Sequence, residues 1–206
     1  MATLHDMTRE RAGGTALIVS AAAFIITMAF HPTGRELLAP GQFAHVMPVG
    51  VAVHALALVC LPVAFFGALV LSQRLDALGA IVTYGFGVVA IMIAAACSGL
   101  VATAAASQIP VGGDIWRVLF TYTGMLNQAF ALIYAVASSA AIVLWSVALL
   151  RHAKALGIAG AILGPLIVIV VLTHTIGLGV HGFGAIVLAE GAWFIACGIW
   201  LIRLER

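Results

Sequence analysis

Apolar residues fill this chain in runs of membrane-crossing length, separated by short polar breaks. Six runs stand out, roughly Thr15–Phe30, Val46–Leu71, Leu78–Ala105, Leu119–Leu150, Leu156–Ile176 and Val180–Ile202. A bilayer's hydrocarbon core is about 30 Å thick and takes roughly 20 helical residues. Taken as one helix, Leu156 to Ile202 would be about 70 Å long. The chain must therefore double back, and the glycines of Thr173-His174-Thr175-Ile176-Gly177-Leu178-Gly179-Val180-His181-Gly182-Phe183-Gly184 mark where. Lipid leaves no backbone group unpaired, so the runs are expected to be helices; the short alternating strands of a membrane barrel are absent. The expected fold is all-α, a bundle of six transmembrane helices with short loops, residues 1–206 forming a single transmembrane domain.

Charge orients the bundle. Arg9, Arg11, Arg74, Arg151, Lys154, Arg203 and Arg206 fall on one side, leaving Arg35 and Arg117 on the other. The positive-inside rule then makes both termini cytoplasmic. The connections at 32–45 and 107–118 and the turn at 177–179 face outward. The first run has no small-residue cleavage site after it and reads as a retained span.

Composition agrees. Of 206 residues, 64% are hydrophobic and 8% charged, with a mean hydropathy of +1.22, whereas soluble domains carry about a quarter charged residues. The expected setting is a lipid bilayer, most simply a cytoplasmic (inner) membrane. No basic patch with interleaved aromatics is present, so nucleic acid is not an expected partner. Cys60, Cys97 and Cys197 lie inside apolar runs without a CxxC pair and read as small hydrophobes.

The orientation gathers histidines. His31, His45, His174 and His181 fall at the outer rim, and His54 lies about 12 Å below it if its helix begins near Val46. Imidazole ligates metals and haem iron, so four imidazoles at one depth suggest Cu or Zn at His31, His45, His174 and His181, or haem b held by His54, His174 and His181. Against this, a histidine at an interface also sits comfortably with its ring among headgroups. His45 and His54, nine apart, share a helix face poorly and serve one site only if His45 precedes the helix; Pro48, suited to a first turn, allows that.

Glu190 is the single acidic residue within a span, about 15 Å along the last one and level with His54. Buried ionisable groups are expensive and mark partners or wet cavities, so His54, Glu190 and Asn127 form a candidate proton or ligand site. The bland alternative is a protonated glutamic acid bonded to a hydroxyl. Asn127, Tyr134 and Ser138 recur at helical spacing and read first as interhelical glue. Gly177, Gly179, Gly182, Gly184 and Gly191 thin the last span for close packing, for a flat ligand, or for a homo-oligomer or membrane-complex partner.

The leading functional expectation is a histidine-rich metal or b-type haem site at the extracytoplasmic rim, redox-active or proton-coupled. Its rivals are a small-solute transporter or channel around His54 and Glu190, and a cofactor-free assembly subunit. Whether the chain is an enzyme stays open, since no nucleophile–base arrangement stands out.

Overall fold

A computed structural model describes residues 4–33, 43–101 and 113–204. It is helical throughout, with no strand among the described residues. The helices are α1 (Leu4–Ala29), α2 (Phe43–Leu75), α3 (Leu78–Ala96), α4 (Asp114–Leu149), α5 (Lys154–Leu172) and α6 (Val180–Arg203), with a π-helical turn, Cys97–Val101, after α3. Each of the six contains a segment long and apolar enough to cross a membrane.

The helices form a ring of antiparallel neighbours: α1 packs on α2 and α6, α2 on α3, α3 on α4, α4 on α5, and a thinner contact joins α5 to α6. Small residues set the closest crossings. A Cβ on Gly14 would lie 2.6 Å from the Gly198 carbonyl oxygen, and one on Gly198 would lie 2.6 Å from that of Gly14. Gly160 and Gly164 press α5 onto Ser146 and Ser139 of α4 in the same way, as expected where packing rather than hydrophobicity drives association.

The half of the bundle near the chain termini is built around a cluster of buried aromatic rings. Trp145 is fully buried at its centre, 5.5 Å from the Tyr84 ring, 5.9 Å from Phe194 and stacked 6.2 Å from Trp193. Its indole Nε1–H donates to Ser72 Oγ at 2.7 Å. One residue thus ties α4 to α2, α3 and α6. The opposite, distal half holds the cavity discussed below.

Several boundaries differ from the sequence reading. α1 starts at Leu4 rather than Thr15, because its charged first turns continue the helix beyond the apolar run, where Glu10 pairs with Arg74 at 3.2 Å. α2 begins at Phe43 and runs on through Pro48 and Pro62. His45 therefore lies inside the helix rather than ahead of it. α3 ends at Ala96, and residues 102–105 of the expected third span lie outside the described residues. α5 stops at Leu172, four residues earlier than expected. The left-handed residue that follows is His174 (φ 54°), not a glycine. Its N–H donates to Val171 O at 3.1 Å, closing the last turn as a C-terminal cap does.

Candidate functional site

The distal half contains a largely apolar cavity of about 110 Å³, walled by α1, α2, α3, α4, α6 and the turn before α6. That is room for several waters, since one needs about 10–15 Å³ by this measure. His31 and His54 stand at its distal end, and Glu190 lies deeper, with Ser20, Thr27, Asn127 and Tyr134 among the polar wall groups. No lysine or arginine lines it among the described residues, so Glu190 is its formal charge.

Among the described residues, the fold brings two histidines together. His31 Nε2 and His54 Nε2 are 3.4 Å apart, with ring planes at 70°. Each Nδ1 faces a backbone carbonyl, His31 that of Pro32 at 2.9 Å and His54 that of Gly50 at 2.6 Å. A carbonyl only accepts, so both neutral rings carry their proton on Nδ1. Two bare Nε2 lone pairs then face each other. Gly99 makes this possible from the far side: a Cβ there would lie 2.6 Å from His54 Cβ.

The other rim histidines do not join them. His45, His174 and His181 are exposed, and among the described residues no three His, Cys, Asp or Glu side chains converge. The four-imidazole rim is thus not assembled here. The reason is local: His45 sits on an outward helix face, His174 is spent on the turn, and His181 opens α6. Gly182 is required within the chain, because a Cβ there would collide with the carbonyl of Gly177.

Burial pushes the His31 imidazole below its ordinary value, and the Pro32 carbonyl opposes this more weakly. A base whose folded-state value is depressed binds fewer protons than its unfolded form, so stability falls as pH drops below about 6.5 and levels off below the folded value. Thermal unfolding in micelles at pH 7.5 and 5.5 should show this acid-side loss, and His31→Gln should diminish it. An unchanged pH dependence in the variant would refute the assignment.

Glu190 is 1% exposed. Its Oε1 lies 2.6 Å from Ser138 Oγ, which is also 2.8 Å from the Tyr134 carbonyl. A hydroxyl has one proton to give. With Glu190 ionised, Ser138 donates to the carboxylate. With Glu190 protonated, the acid donates to Ser138, which then donates to the carbonyl. Ser138 is therefore the group that accommodates either state of Glu190. Oε2 is buried without a hydrogen-bond partner among the described residues, an arrangement that normally costs about 1–3 kcal/mol or more.

His54 and Glu190, expected as a pair, are not bonded to each other; they belong to one cavity and each has its own partner. Asn127 is half-buried in the cavity wall. Ser138 was legible only as helix glue, although a lone intramembrane acid opposite a span with two adjacent serines was the available signal. Nothing in the spacing pointed to the His31–His54 contact. No family model, curated protein or solved structure matches this chain.

Proposed function

We propose that this protein is a small-solute carrier of a cytoplasmic (inner) membrane, binding its solute in the distal cavity with Glu190 as a proton-exchanging anchor. The observation that carries this is the Glu190 carboxyl, fully buried in the cavity wall with one oxygen unpaired. An ionisable carboxyl buried in a span, with one oxygen held by Ser138 and the other unpaired, is a functional group by default. The lining selects the solute. Its apolar walls and single acidic group, with no lysine or arginine among the described residues, favour a compact apolar body bearing a cationic nitrogen, and disfavour anions. The Ser138 hydroxyl supports proton exchange, because it can bond either form of Glu190. The positive-inside bias of the flanking charges would turn the cavity mouth to the extracytoplasmic side.

Uptake of a radiolabelled small quaternary amine into proteoliposomes, driven by a pH gradient, tests this. Wild-type vesicles are expected to exceed empty ones, and Glu190→Gln should cut the protein-dependent rate by more than about tenfold, or 1.4 kcal/mol. Equal uptake by the variant and the wild type would defeat the carrier reading. A metal or haem reading is favoured by one separate observation, the His31–His54 pair, and concerns the cavity mouth rather than its depth.

A further inference from the structure

We infer that His31 and His54 form a binding site for a soft monovalent metal ion, Cu(I), at the distal end of the cavity. The argument starts from an unsatisfied pair. Both Nδ1 atoms are committed to the carbonyls of Pro32 and Gly50, so neither Nε2 carries a hydrogen in the neutral rings. Two lone pairs 3.4 Å apart repel unless a cation lies between them. A shared proton fits poorly, because hydrogen bonds to nitrogen close at about 2.7–3.2 Å.

A metal ion fits better. An ion about 2.0 Å from each nitrogen, the usual imidazole bond length, would subtend about 116° across the 3.4 Å separation, close to a trigonal angle. The carbonyls holding the Nδ1–H groups are the outer partners that metal-bound histidines generally have. The charge of the site selects the ion. Both imidazoles are neutral, and among the described residues no acidic or thiol group joins them in a set of three. Desolvation cost rises with the square of charge, so a divalent ion would be far more expensive here than a monovalent one. Met28, in the wall of the same cavity, offers a thioether, a soft donor suited to Cu(I). This site is independent of the solute proposed at Glu190.

Anaerobic Cu(I) titration of the chelator-stripped protein in micelles, against a chromophoric copper chelator, provides the test. A single Cu(I) per chain is expected. His31→Ala and His54→Ala should each weaken it by more than about tenfold, since even outer partners of a ligand are worth 10–100-fold. Exposed His45, His174 and His181 changed to alanine should leave affinity unaltered. X-ray absorption of the wild type reads the same claim without a variant, as two imidazole nitrogens at about 2.0 Å. Glu190→Gln should keep copper while losing uptake, which separates this site from the carrier reading. Absent stoichiometric binding, copper ligated without imidazole, undiminished affinity in the His31→Ala/His54→Ala double variant, or Zn(II) outcompeting Cu(I) would each overturn it.

Discussion

Trp145→Ala is expected to destabilise the bundle by about 3–5 kcal/mol, the range for truncating a buried large aromatic. Three losses combine. The indole leaves a void at the point where four helices meet, closed to whatever surrounds the bundle because Trp145 is wholly enclosed. The stack on Trp193 and the edge contacts with Tyr84 and Phe194 disappear, each worth about 0.5–1.5 kcal/mol beyond area. Ser72, 2% exposed, loses its donor. Trp145→Phe should cost clearly less, because it refills most of the space and forfeits mainly the bond to Ser72. Denaturant titration of the reconstituted protein, followed by circular dichroism, measures both. A Trp145→Ala effect below about 1 kcal/mol would mean that these rings are not the centre of the packing.

Gly14→Leu should be nearly as damaging, by about 3 kcal/mol or more, at the top of the usual range for overpacking. The Gly14–Gly198 crossing is reciprocal: each glycine faces the other's carbonyl oxygen. Backbone opposes backbone, so no rotamer change makes room and α1 must separate from α6. Gly198→Leu should therefore do the same damage, and the double variant should cost less than the sum of the two. Gly79→Ala and Gly124→Ala are the matched controls, since a Cβ at either position meets nothing within 4 Å. Similar unfolding curves for Gly14→Leu and these controls would show that α1 and α6 do not cross this closely.

The six helices were legible because their outward-facing and core-facing positions are both apolar, so hydropathy alone marks their extent. Their ends were less so. Arg9, Glu10 and Arg11 precede the first apolar run, yet they extend α1 past it, and Glu10 reaches Arg74. In the turn after α5, which the glycines were read as marking, the left-handed conformation falls to His174, a residue type that adopts it more readily than most. Glu190 stood out because one charge among apolar neighbours is conspicuous. His31 and His54 did not pair on paper. The sequence set them at different depths, and their meeting depends on how α1 and α2 cross and on the narrow passage at Gly99. Such contacts lie beyond any periodicity.

The aromatic cluster around Trp145 also gives the cavity a floor. Under the proposed carrier reading, a solute entering at the distal mouth would reach Glu190 and meet Tyr84 and Phe194, which share that wall. Both rings are buried and pack against Trp145. Crossing would require the rings to part and close again in every cycle. Throughput would then be governed by how quickly that gate works, with occupancy of the chamber a secondary matter.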